Sequence, residues 1–295
     1  MMLKQRADQL LVSRRLVASL EKALAMIMAG LVSSCGERVE KAGTMLDAEA
    51  ALGVKETRLY ASRAGAKLAQ ALDAFRVDPA GKIAADVGAS TGGFTDCLLR
   101  RGAKKVYAVD VDTKQLDWRL RRDERVVLVE KNARNLVPGD FKERPDIITL
   151  DVSFISILKV LPALKNVLTD VGARRGGSRG EGASDRARAG RGGRGRENAG
   201  ERVSDGVLLA LIKPQFEADR GQVGKGGVVR DPDVHAEVLE KVVIGAEEAG
   251  FRAQGLLRCA TRGRTGNREF FGHFSLSGGT NAVASVCIKE VIGDE

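Results

Sequence analysis

The sequence contains no apolar run approaching the length of a membrane span, and Met1-Met2-Leu3-Lys4-Gln5-Arg6 does not open a secretory signal peptide. A spanning protein is therefore not expected, and a cytoplasmic location is. Cysteine is scarce and scattered. Cys35, Cys97, Cys259 and Cys287 share no ligand spacing with one another or with His235 and His273, so neither a zinc site nor a disulfide framework is expected. Two phosphate-binding patterns are missing as well. The glycines after Ile83–Val87 fall as G-x-x-x-G-G rather than the G-x-G-x-x-G of a dinucleotide site. Gly221-Gln222-Val223-Gly224-Lys225-Gly226-Gly227 lacks the glycine spacing and the Ser or Thr of a P-loop, which leaves it as a mobile basic loop near the substrate.

What is present is enough chain for one large α/β domain plus a small one: 295 residues, 43% of them apolar. Formal net charge is +9 with a pI near 9.5. That balance favours a polyanionic partner, either nucleic acid or an anionic membrane surface, without choosing between them.

The chain is organised around Ile83-Ala84-Ala85-Asp86-Val87-Gly88-Ala89-Ser90-Thr91-Gly92-Gly93-Phe94, which reads as a buried strand, a glycine turn and the start of a helix. Gly88 suits a tight turn, and Gly92 and Gly93 suit close approach of backbone to a ligand. Asp86 stands two residues before the first glycine. A carboxylate there repels a pyrophosphate and attracts the cationic sulfonium and amino groups of S-adenosylmethionine, which is therefore the expected cofactor. Ala89, Ser90 and Phe94 complete the turn. The next strand, Lys105–Val109, leads to Asp110 and Val111, and Asp110 lies 22 residues beyond Gly88, the place of an acid that holds a ribose diol. Asn132, after a third strand at Val126–Val129, is either an adenine-edge contact or a turn former.

Before this core, residues 3 to about 55 read as an α-first module. A helix opens at Gln5–Val12. Ser19 caps a second, along which Leu20, Ala23, Ile27 and Leu31 recur at helical spacing, and Gly30 ends it in the left-handed conformation. A helix over Ser62–Leu72 carries Lys67. Further strands deliver Asp151 and Lys213 to the edge where α/β sheets bind ligands, with a helix from about Ser156 to Leu168 between them. Residues 172–202 hold nine arginines, ten glycines and four acids. They predict a disordered cationic insertion, read as an RNA-holding arm or as a tolerated surface loop. A helix near Val234–Ala249 and strands near Gln254–Leu257 and Glu269–Phe274 follow, and 277–295 form a tail.

The N-terminal module resembles the S4 RNA-binding domain through Arg6-Ala7-Asp8-Gln9-Leu10-Leu11, Ser19-Leu20-Glu21-Lys22-Ala23 and Met28-Ala29-Gly30-Leu31-Val32, although Leu20 stands where that family commonly has arginine. Lys67, Asp151, Lys213 and Glu269 resemble the lysine-aspartate-lysine-glutamate set of FtsJ-like ribose 2'-O-methyltransferases. With Ser62-Arg63-Ala64-Gly65, Asp151-Val152-Ser153-Phe154-Ile155-Ser156 and Lys213-Pro214-Gln215-Phe216-Glu217, nearly the whole chain is similar to the TlyA (hemolysin A) family.

The resemblance implies an S4-like α+β domain over residues 1–60 and a Rossmann-like FtsJ-like methyltransferase domain over 61–276. It implies methyl transfer from S-adenosylmethionine to a cytidine 2'-hydroxyl in ribosomal RNA, on bare RNA or whole subunits, without a metal. Lys67, Asp151, Lys213 and Glu269 are the implied catalytic set, with Lys213 acting as a neutral base or as a charged stabiliser of the alkoxide. Arg6, Arg14, Arg15, Lys22 and Arg63 are the implied RNA contacts. A non-catalytic RNA-binding assembly factor and a membrane-active hemolysin are the readings from other classes.

Overall fold

The computed structural model describes residues 4–54, 59–169, 206–276 and 288–293. The 172–202 insertion and most of the 277–295 tail lie outside the described residues. The chain forms two compact units, Met1–Leu59 and Tyr60–Glu295.

In the first unit a short strand precedes the helices. β1 (Lys4–Arg6) leads into α1 (Ala7–Ser13) and α2 (Leu20–Met28), followed by β2 (Val32–Ser34), β3 (Glu37–Arg38), β4 (Met45–Asp47) and β5 (Leu52–Val54). The expectation of an α-first module is corrected here. Lys4, Gln5 and Arg6 pair antiparallel with Asp47, Leu46 and Met45, a partnership some forty residues away that local pattern cannot show. β3, β2 and β5 form a second small sheet, and the arrangement fits an S4-like α+β domain. Ser19 Oγ accepts from the Lys22 amide at 3.3 Å as the cap of α2, and Gly30 sits at φ +69°. Ala23 and Ile27 enter the core with Leu11, Val17 and Val32, whereas Leu20, Leu24 and Met28 form an exposed stripe.

The second unit carries α3 (Ala64–Ala74), β6 (Ile83–Val87), α4 (Gly93–Arg100), β7 (Lys105–Asp110), α5 (Trp118–Arg121), β8 (Val126–Glu130), β9 (Ile147–Leu150), α6 (Leu161–Thr169), β10 (Val207–Ile212), α7 (Pro214–Glu217), α8 (Pro232–Glu248), β11 (Arg252–Arg258) and β12 (Phe270–Ser275). One seven-stranded sheet runs in the order β11-β12-β10-β9-β6-β7-β8. Its strands are parallel from β10 to β8, and β12 is antiparallel to both β10 and β11.

Side chains on alternate strand positions feed two cores, one on each face, as the two-residue period of a strand requires. Leu208, Ala210 and Ile212 join a cluster with α6 and α8, while Leu209 and Leu211 join one with α3 and α4. The helix expected over 156–168 is divided. A 3-10 turn at Ile157–Lys159, capped by Ser156, precedes α6, in which Pro162 occupies a first-turn position that needs no N–H donor. From β6 the chain builds outward through β7 to β8 and then returns to place β9 on the other side of β6. Strand order reverses at that point, and the carboxyl ends of β6 and β9 border the crevice where such sheets bind ligands.

Candidate active site

A cleft of about 980 Å³ opens at this switch point, lined by Gly88, Ser90, Asp110, Asn132, Asp151 and Phe154 among others. Gly88 has φ +87°, and a Cβ there would overlap the carbonyl oxygen of Asp151, so the close approach of the β6 and β9 turns itself demands glycine. Asp110 holds the opposite wall. Its carboxylate accepts from the Ser90 amide at 2.8 Å and from the Asp112 amide at 3.1 Å. Val111 is exposed at the cleft beside it. Asn132 lines the cleft and also serves as a turn former, its side chain accepting from the Arg134 amide at 3.1 Å.

The remaining residues expected to meet a cofactor lie behind the turn. Asp86 is fully buried, accepting from Thr95 Oγ1 at 2.7 Å and Thr149 Oγ1 at 3.3 Å, so its carboxyl ties β6 to α4 and β9 instead of facing the cleft. Burial pushes it up to about 7. A Cβ on Gly92 would meet Leu116 and Leu120, and one on Gly93 would meet Ser62 and Ala64. Those two glycines permit close packing of the chain against itself. Ala89 and Phe94 are buried, Phe94 against Phe271 with ring centroids 5.8 Å apart.

The four residues of the candidate catalytic set converge on one edge of the sheet. Asp151 follows β9, Lys213 follows β10, and Glu269 precedes β12, and these three strands are neighbours. The register sets Ile212 opposite Phe270, so Lys213 and Glu269 follow level with each other, and Ala210 beside Leu150, so Asp151 follows two positions short of Lys213 on the neighbouring strand. They form two ion pairs. Lys67 on α3 meets Glu269 at 2.5 Å, both side chains under a tenth exposed. Lys213 Nζ lies 2.6 Å from Asp151 and donates to Ser153 Oγ at 2.9 Å. The charges of Lys67, Glu269 and Asp151 all act on the buried Cys259 thiol, which burial pushes up to about 12, so this cysteine sits among the pairs as an inert thiol.

Ser156 and Glu217 stand inside the two motifs, where nothing local marks a role for either. The structure joins them. Glu217 is buried and accepts from Ser156 Oγ at 2.6 Å and the Ile157 amide at 2.8 Å, and burial raises its carboxyl above the usual range. It thereby clamps the loop bearing Asp151 and Phe154 to the one bearing Lys213 and Phe216. Phe154 is 91% exposed and held at φ +63°, a conformation unfavourable for a bulky side chain, with its ring 5.3 Å from that of Phe216. Asn267, which carries no signal in the sequence, acts in a similar way. Fully buried, it accepts from the Val229 amide at 2.9 Å and donates to the Gly227 carbonyl at 2.8 Å, pinning the glycine-rich loop two residues from Glu269.

The expected RNA contacts divide. Arg15 and Lys22 are exposed in the first unit, and Arg63 is exposed in the second. Arg6 is exposed but bridges Asp8 at 2.6 Å. Arg14 is corrected: its guanidinium donates to the carbonyls of Ala48 and Ala50, the latter at 2.7 Å, and staples α1 to the turn after β4.

Comparison with known proteins agrees with this geometry. Residues 60–276 match the FtsJ-like methyltransferase family. The chain is 42% identical to YqxC of Bacillus subtilis, named as an rRNA methyltransferase, over 93% of this chain and 87% of that protein. It is 38% identical to the 16S/23S rRNA (cytidine-2'-O)-methyltransferase TlyA of Mycobacterium tuberculosis, covering 91% of this chain and 88% of TlyA. A solved structure from Streptococcus thermophilus, described as a hemolysin, superimposes with a TM-score of 0.67 at 39% identity, covering 99% of this chain and 95% of that one. With the sheet, the cleft and the paired lysines and carboxylates in place, this chain belongs to the FtsJ-like methyltransferases, in the family of TlyA.

Proposed function

We propose that this protein transfers a methyl group from S-adenosylmethionine to the 2'-hydroxyl of a cytidine in ribosomal RNA. The observation that carries the reading is the convergence of Lys67–Glu269 and Asp151–Lys213 on one sheet edge, with Asp151 lining the cleft. The cleft fits the cofactor by its donor set. The Asp110 carboxylate at the end of β7 suits a ribose diol, Asn132 suits an adenine edge, and the Gly88–Ser90 turn supplies close backbone. When bound there, S-adenosylmethionine supplies an electrophilic methyl group on a sulfonium.

The chain's own residues address the other half of the problem, because a ribose hydroxyl is a poor nucleophile at neutral pH. Lys213 Nζ, oriented by Asp151 and Ser153, is the group at which the hydroxyl proton is received or the developing alkoxide charge is compensated. Lys67 and Glu269 form the adjoining buried pair that holds the local charge balance. Phe154, exposed beside Asp151, offers an aromatic face to the target base. A ribosomal substrate places the reaction in the cytoplasm. Among the described residues no helix is long and apolar enough to cross a membrane.

The test is transfer of labelled methyl to unmodified ribosomal subunits by wild type and Lys213→Ala. Label appearing in RNA as a 2'-O-methyl, and lost in the variant, is the expected result. No label on either subunit, from a protein that still binds the cofactor, overturns the reading in favour of an RNA-binding assembly factor.

A further inference from the structure

α5 presents a feature that the chemistry above does not use. Trp118, the only tryptophan of the chain, opens this helix and is 65% exposed. An isolated exposed aromatic is ordinary on a protein surface. This one has specific company. The Arg122 guanidinium lies over its ring at 5.8 Å from the centroid. Trp118, Arg121, Arg122 and Leu128 together line an open recess of about 360 Å³.

The arginines of this segment are not equivalent. Arg119 and Arg125 are each matched by a carboxylate two residues earlier, Asp117 at 2.9 Å and Asp123 at 2.7 Å. Among the described residues Arg121 and Arg122 form no ion pair, and both are exposed, so the recess carries uncompensated positive charge against an aromatic face. Leu128 supplies an apolar floor from β8, the edge strand of the sheet. Gln115, three residues before Trp118, already lines the catalytic cleft, so the recess follows directly along the chain from the cleft wall. A planar π-face flanked by guanidinium groups that no carboxylate neutralises suits one partner chemistry: an unpaired nucleobase stacks on the open side of the ring while its phosphates meet the arginines.

We infer that Trp118, Arg121 and Arg122 form an auxiliary binding platform for single-stranded RNA on the methyltransferase unit, separate from the catalytic pairs. It deepens the reading of RNA as substrate and rests on it, but it is tested by binding rather than by turnover. It holds a segment of the substrate strand next to the target nucleotide, so its loss weakens RNA affinity and leaves the chemical step intact.

The sole tryptophan makes the site its own reporter. Titration of the full chain with a short single-stranded oligoribonucleotide should quench Trp118 emission, and a duplex of the same length should quench it less. Trp118→Ala should raise the KM for RNA about ten-fold at unchanged kcat, the size expected for losing one stacked base, and Trp118→Phe should recover most of that loss. Arg121→Ala and Arg122→Ala should each lower the salt dependence of binding by about 0.7 in the slope of log affinity against log salt. Absence of quenching together with an unchanged KM in Trp118→Ala overturns the proposal. So does a raised KM on whole subunits without quenching by any oligonucleotide, which would assign the recess to a ribosomal protein. Quenching by a chain that transfers no methyl keeps the platform and overturns the proposed reaction instead.

Discussion

The two lysine–carboxylate pairs have the same chemistry and different depth, and on the proposed reaction the difference predicts that the shallower pair handles the hydroxyl proton while the deeper one sets the charge around it. In Lys67–Glu269 both side chains are almost wholly enclosed, at 8% and 6% exposed. Lys213 and Asp151 keep 12% and 18%, share a third partner in Ser153, and reach the cleft through Asp151. A buried pair is held mainly because removing one partner strands the other's charge, whereas a pair at the cleft can exchange a proton with a bound hydroxyl.

Breaking the cleft pair should give the largest effect on activity. Lys213→Ala is expected to lower kcat about 10³-fold in methyl-transfer assays, within the usual range for loss of a proton-handling group, while the far-ultraviolet circular dichroism stays that of a folded protein. Breaking the deep pair should show first in stability. Glu269→Ala leaves the Lys67 ammonium buried and unpaired and should cost about 3–5 kcal/mol by denaturant titration. The combined change of Lys67→Met with Glu269→Leu sharpens the contrast: stability should return towards wild type while methyl transfer stays low. Activity returning together with stability would assign this pair to support alone.

A smaller effect is expected at the clamp between the two catalytic loops. Glu217→Ala removes the acceptor for Ser156 and Ile157 and should lower kcat/KM for RNA about ten-fold, close to the worth of two buried hydrogen bonds. Because the clamp acts through the Phe154 loop, the same substitution in a Phe154→Ala background should cost much less activity. An equal loss in both backgrounds would sever the link.

The last contrast concerns pH and touches stability rather than activity. Asp86 has its carboxyl lifted from 3.8 to about 7 by burial, so between these values the folded state holds a proton that the unfolded state has released. Its contribution to stability is complete below about pH 4 and is lost as the pH rises through about 7. The limiting slope is about 1.4 kcal/mol per pH unit. Asp86→Asn should flatten that decline in denaturation midpoints measured across the window. An unchanged slope would show that Asp86 is ionised throughout.

Legibility in the sequence varied with the range of the interaction. The β6 strand, its glycine turn and the strands β7, β9 and β10 were readable because apolar runs and a glycine at Gly88 are local signals. The four catalytic candidates were readable from resemblance, since nothing in their spacing shows that positions 67 and 269 touch. What Asp86 and Gly92 pack against was not readable, for one physical reason. A carboxylate or a glycine beside a binding turn looks the same in sequence whether it faces a ligand or the chain's own Thr149 and Leu120.

By itself, then, the sequence determined the alternation of strands and helices, the placing of acidic and basic residues at strand ends, and the basic character of the whole. These follow from periodicity, turn chemistry and charge, which act between near neighbours. Only the tertiary structure decided which lysine pairs with which carboxylate, that Glu217 clamps Ser156 across sixty residues of chain, and that β1 precedes the first helix. Those depend on contacts brought together by burying the two faces of one sheet, and the burial is a property of the assembled chain rather than of any segment of it.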